Sequence, residues 1–199
     1  MSNAGSQKKK SPKLPLLGPE EIMSKKAHGT TDRPVQDSLR YGVDRSTADR
    51  ICCFNRHYAE HSGYFKSKKW IPAIRGKGEV TYYDSVTGKP LFVAPRGRTL
   101  DAFLQESAAH GWPSFRDNEV VWENVRCLKN GEAVSLAGTH LGHNLPDKKG
   151  NRYCINLCCI AGNPVEEPAP AEAAAAASAT EPAAAATDGA AASAADTTL

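Results

Sequence analysis

The stretch NEVVWENVRCLKNGEAVSLAG, residues 118–138, decides the fold class of this chain. Its two apolar halves flank Asn130-Gly131, a dipeptide suited to the two positive-φ positions of a type I′ turn, so the stretch reads as a β-hairpin. Upstream, EVTYYDSVTGKPLFVAP (79–95) reads as two strands around a Val-Thr-Gly-Lys turn. Downstream, RYCINLCCIAG (152–162), rich in Ile, Cys and Tyr and closed by Gly-Asn-Pro, reads as a last, largely buried strand. These runs predict a mostly antiparallel sheet. Helix is sparser. TLDAFLQESAAHG (99–111) has Thr99 as N-cap, Asp101 near the positive end of the dipole, Leu100, Phe103 and Leu104 on one side, and Gly111 as its stop. STADRICCFNRHYAEHSG (46–63) reads as a second helix, capped by Ser46 and closed by Gly63. The predicted class is α+β, dominated by β.

Composition bounds the packed region. From Asn163 to Leu199 the chain is almost all Ala, Pro, Glu, Ser, Thr and Asp, without an aromatic residue, Lys or Arg, which predicts a disordered acidic tail. Residues 1–30, with KKK at 8–10 and several prolines and glycines, read as a flexible basic arm. Residues 31–162 remain for one domain, with 19 Lys and Arg against 14 Asp and Glu, a balance of +5. Five excess charges without an aromatic-basic stripe are a weak nucleic-acid signal, and no nucleic-acid partner is expected. No apolar run is long enough to span a bilayer and no secretory signal core is present, so a monomeric protein of the cytoplasm, or of the nucleus, is expected, with no membrane partner. Its six cysteines, none in a CxxC pair, are expected to be thiols rather than structural disulfides or a zinc site.

Three stretches carry side chains suited to chemistry. His57-Tyr-Ala-Glu60-His61 matches the HxxEH pattern of inverted zinc proteases, but the match is short and Gly63 ends the helix almost at once; a surface or substrate-lip helix is the better reading. In HGWPSFRD (110–117), Gly111-Trp112-Pro113 suits a turn that presents the indole. THLGHNLPDKKGNRYCIN (139–156) gathers His140, His143, Asp147, Arg152, Cys154 and Asn156. A nucleophilic thiol needs a positive charge or hydrogen-bond donor to lower its pKa and an acid to protonate what leaves, and this stretch holds each part.

GWPSF, HLGHxxPD and RYCIN in that order resemble the B-type methionine sulfoxide reductases, which reduce the R epimer of methionine sulfoxide; the similarity runs from about Gly78 to Gly162. The resemblance implies two antiparallel sheets with a few helices, the β-tent arrangement, and cysteine chemistry. Cys154 would attack the sulfoxide sulfur, Arg152 and Asp147 would pair beside it, and His140 and His143 would bind and protonate the oxygen. Trp112 would pack on the S-methyl group, Phe115 would extend that apolar wall, and Asn156 would orient groups around the thiol. The product is a sulfenic acid on Cys154, which a second thiol must reduce. Substrates would be oxidised proteins or free methionine-R-sulfoxide. The rival reading is a catalytically degenerate binding or redox-sensing module.

Departures from that pattern matter as much. The family's zinc-holding cysteines fall at Asp84, Thr87, Val134 and Ala137, so no zinc and no other bound cofactor is expected. The resolving cysteine that many members place before GWPSF is His110 here. On a strand, Cys158 would share the face of Cys154 but stand ~13 Å away, beyond the roughly 7 Å that a disulfide tolerates. Cys52, Cys53, Cys127 or an external dithiol, thioredoxin- or glutaredoxin-like, remain as reductants.

Overall fold

A computed structural model describes residues 13–165. The tail expected over 163–199 lies outside the described residues from position 166 onward, as do the first twelve positions. In chain order the elements are α1 (Arg45–Asp49), α2 (Trp70–Ile74), β1 (Val80–Tyr83), β2 (Pro90–Ala94), α3 (Leu100–His110), β3 (Ser114–Phe115), β4 (Val125–Cys127), β5 (Glu132–Ser135), β6 (His140–Asn144) and β7 (Tyr153–Ile155), with short 3-10 turns between them. They form two antiparallel sheets with few helices: β1 pairs with β2, and a five-stranded sheet runs β3-β7-β6-β5-β4. Among the described residues no helix is long and apolar enough to cross a membrane.

The deciding hairpin forms, with a different turn. β4 and β5 pair from Val125–Ser135 to Cys127–Ala133. Gly131 N–H donates to Leu128 O (2.9 Å), and Gly131 has φ 90° while Asn130 has no positive φ. The loop is therefore three residues ending in a left-handed glycine, not a type I′ turn; Asn130 instead turns its side chain to accept from Glu132 N at 3.0 Å. α3 starts and stops where its signals lie: Thr99 Oγ1 accepts from Ala102 N (3.1 Å), and Gly111 follows in the left-handed region.

The expected helix over 46–63 does not form as such. Asp44, not Ser46, caps α1 by accepting from Thr47 N (2.7 Å), and the helix widens into a π turn at Arg50–Phe54. Asn55 then ends it, its side chain accepting from His57 N at 3.2 Å, a local bond that competes with helix. The last expected strand also stops early. β7 ends at Ile155, and Leu157–Cys159 is a 3-10 turn, so Cys158 does not share a strand face with Cys154.

Among the described residues, part of the expected flexible arm is packed. Leu16 O accepts from Cys127 N and Gly18 N donates to Cys127 O, both at 2.9 Å, so residues 16–18 lie along the free edge of β4. Such coverage saturates an edge strand that would otherwise offer open hydrogen bonds. Met23 is buried against Leu128 and Val134.

The core between sheets and α3 is aromatic. Phe103 meets Trp70 (5.8 Å) and Phe115 (5.3 Å) between ring centroids, and Phe115 stacks on Phe92 at 4.3 Å. Phe115 is fully buried there, which corrects its expected place in a substrate wall: in the short β3 its side chain points into the core. Asp84 is buried and accepts from Thr139 Oγ1 with both oxygens (3.0 Å each) and from Val86 N (2.8 Å). This clasp joins the β1–β2 loop to the β5–β6 loop.

Candidate active site

Strand register places the thiol. Cys154 lies in β7 between Ser114 of β3 and His143 of β6, directly opposite both. Directly opposed residues have Cβ atoms about 4.5–5.5 Å apart, so His143 is a first neighbour of the sulfur. His140 and His143 are three apart and would face opposite ways in a regular strand. A bulge removes the conflict: Ala133 pairs with Gly142 and Val134 with His140, leaving Leu141 unpaired, and the two rings sit 5.7 Å apart. Gly142 is required by proximity, since a Cβ there would meet Cys154 O at 2.0 Å.

A cavity of about 280 Å³ opens on these groups. Cys154, His140, His143, Asn156 and Trp112 line it together with His57, Tyr58 and Ala59. Five of the sequence-predicted residues thus converge. The 57–59 segment is a lip, as expected, but an irregular one. The indole of Trp112 is half-buried and fixed at its edge, Nε1 donating to Glu60 O at 3.0 Å. Asn156 is fully used as a fastener: Nδ2 donates to Leu141 O (3.0 Å) and Oδ1 accepts from Glu60 N (3.1 Å).

Five predicted residues stand otherwise. Asp147 does not line the cavity; Arg116 takes both its oxygens (3.0 and 2.7 Å) and holds it well below the usual carboxyl range. Arg152 is 3.7 Å from it, too far for a hydrogen bond, so the expected pair is an ion pair at the edge of reach. Arg152 is buried, and its Nε and Nη1 have no protein hydrogen-bond partner. Cys127, on β4, is three strands from β7, ~14 Å at the usual strand spacing. Cys52 and Cys53 are buried away from the cavity lining.

Two carboxylates support the site: Glu132, which the sequence did not announce, and Glu60, which it offered only within the HxxEH pattern. Glu132, buried, accepts from or shares a proton with His140 Nδ1 at 2.8 Å and is gripped by Arg56 through Nε (3.0 Å) and Nη2 (2.6 Å). Burial alone would raise its pKa, but hydrogen bonds from His140 and Arg56 outweigh it and hold the carboxyl below its usual range. His140 is thereby anchored at Nδ1, leaving Nε2 for the cavity. Glu60 is buried behind the lip and accepts from Leu157 N (2.7 Å) and Cys158 N (3.1 Å). Burial, and then Cys158, push its carboxyl well above the usual range. Glu60→Ala orphans two buried N–H groups, each costing about 1–3 kcal/mol, and is expected to lower unfolding free energy in urea by about 2 kcal/mol. An unchanged urea midpoint would show that the 157–159 turn does not depend on it.

Electrostatics at the thiol oppose one another. Burial raises the Cys154 pKa, Arg152 lowers it, and Glu60 raises it; the net direction is upward. A protonated Glu60 exerts no such push. His143 is pushed below the ordinary imidazole range, first by burial and then by His140. Its ring is therefore neutral at pH 7 and can accept a proton.

No known protein-family model matches this chain. The site must speak through its own geometry: a half-exposed thiol beside a neutral imidazole, a second imidazole oriented by a carboxylate, a buried guanidinium with free donors, and an indole wall.

Proposed function

We propose that the protein reduces methionine-R-sulfoxide, in proteins or free, to methionine, as the B-type reductases it resembles do on their β-tent fold, and that it works in the cytoplasm. One observation carries the reading: Cys154, His140 and His143 of one stretch and Trp112 of another line one cavity. A small apolar group with one polar oxygen matches that lining, with the S-methyl on Trp112 and the oxygen toward the imidazoles. As Cys154 sulfur attacks the sulfoxide sulfur, neutral His143 takes the thiol proton and returns it to the departing oxygen. The oxygen ends on Cys154 as a sulfenic acid, methionine leaves, and no net proton is consumed. Two external thiols then release water and form a disulfide, restoring Cys154. An external dithiol, thioredoxin- or glutaredoxin-like, fits best because Cys52, Cys53 and Cys127 do not line the cavity.

Purified full-length protein with dithiothreitol should release methionine from the R epimer in preference to the S epimer. Equal or undetectable release from both would sink the proposal. Trp112→Ala should raise KM about tenfold with little change in kcat, since it removes binding surface rather than reacting groups; an unchanged KM would remove Trp112 from the substrate pocket. A second reading, a ligand-binding or redox-sensing module without turnover, draws on the upward shift of the Cys154 pKa. Under it the R epimer binds, with a calorimetric signal lost in Trp112→Ala, while no methionine forms.

A further inference from the structure

Away from the Cys154 cavity lining, three sulfur atoms converge. Cys52 comes from the π turn Arg50–Phe54, Cys158 and Cys159 from the 3-10 turn Leu157–Cys159, and all three are fully buried. Cys52 Sγ is 3.0 Å from Cys159 Sγ, Cys159 Sγ is 3.8 Å from Cys158 Sγ, and the three lie within 4.8 Å of one another. The proposed reaction uses none of them.

Chemistry distinguishes three fates for such a trio. As apolar filler, buried thiols are ordinary, yet 3.0 Å is inside the contact distance of two unbonded sulfurs. As a cage for a soft ion such as Cu(I) or Zn(II), three thiolates would leave net negative charge in a fully buried place. A covalent bond between two of the sulfurs is neutral and has no such cost.

We propose that Cys52 and Cys159 form an intramolecular disulfide that staples the π turn to the C-terminal 3-10 turn and leaves Cys158 as a thiol. The two sulfurs need to approach by about 1 Å to reach the ~2.05 Å bond. In forming it, the two thiols lose two protons and two electrons, which oxidised glutathione takes up to become two molecules of glutathione. The bond joins residues 107 apart, and cross-links that close long loops restrict the unfolded chain most. Burial pushes both thiols well above the ordinary range, so in the folded protein they react slowly and the bond forms before the turns close or during transient opening.

The test is refolding of reduced, unfolded full-length protein in a glutathione redox buffer, followed by acid quench, alkylation and peptide mapping without reduction. The Cys52–Cys159 cross-link should exceed any other pair at least tenfold, in wild type and equally in Cys154→Ser and Cys158→Ala. Its intact mass should be two hydrogens lighter, and its melting temperature should exceed that of the dithiothreitol-treated protein. Full alkylation of Cys52 and Cys159 in the refolded protein, or dominance of another pair, overturns the assignment. Stoichiometric copper or zinc in the purified protein, absent from Cys52→Ala, overturns it in favour of an ion cage. The Cys154→Ser arm keeps this outcome separate from the fate of the proposed reductase activity.

Discussion

Cys154→Ser is expected to lower dithiothreitol-driven turnover of methionine-R-sulfoxide on the order of 10³-fold or more, down to background, with no change in melting temperature. The magnitude follows from the role. In the proposed reaction sulfur is the atom that accepts oxygen, and a serine oxygen cannot be oxidised in its place. Stability should be spared because serine is nearly isosteric with cysteine and Cys154, alone of the six cysteines, is not fully buried. The wild-type protein, given substrate without reductant, should release one methionine per chain and carry one added oxygen on the peptide holding Cys154. A serine variant retaining more than a tenth of the activity would move the nucleophile elsewhere. Added oxygen on another cysteine would do the same.

Glu132→Ala should remove about 3 kcal/mol of stability, because it leaves Arg56 half-paired and the buried His140 ring without its partner. Arg56 is partly solvated, which holds the expected cost to the lower end for a broken buried pair. The pH dependence has a definite sign. The folded Glu132 pKa lies below its unfolded value, so its contribution is complete above the unfolded carboxyl pKa of about 4.3 and is lost as pH falls through the lower folded value. Chemical denaturation should therefore show a constant gap between wild type and variant from about pH 5 upward, closing below about pH 4. Glu132→Gln should recover part of the stability while leaving the turnover–pH profile altered, since an amide cannot hold His140 as a carboxylate does. A gap that widens toward low pH would contradict the pairing.

What was legible in the sequence was local. The β4–β5 and β1–β2 hairpins and α3 follow from turn residues, caps and short apolar runs, and each forms where those signals lie. The clustering of His140, His143, Cys154, Asn156 and Trp112 was legible from residue types that only a shared site would collect. Less was readable where one side chain diverts the backbone. Asn55 ends a helix that the 46–63 pattern supports, and in doing so frees His57, Tyr58 and Ala59 to form the cavity lip. The bulge at Leu141 is invisible in HLGH itself, yet it alone lets both histidines face one way. Glu132 looks like a surface acid in sequence and Glu60 like the base of an HxxEH pattern; both are buried by partners their own stretches do not contain, Arg56 and His140 for one, the Leu157 and Cys158 amides for the other. Residues 16–18 looked unanchored because the edge of β4 that they cover is formed by residues a hundred positions away.

The clasp at Asp84 has a consequence for where such a fold can operate. Four thiolates around zinc make a domain's integrity depend on metal supply and on keeping those sulfurs unoxidised. Here the β1–β2 and β5–β6 loops are joined by a carboxylate, a threonine hydroxyl and a backbone amide, none of which an oxidant or a chelator attacks. The join itself therefore holds under oxidising conditions, and of the six cysteines all but Cys154 are buried in the core.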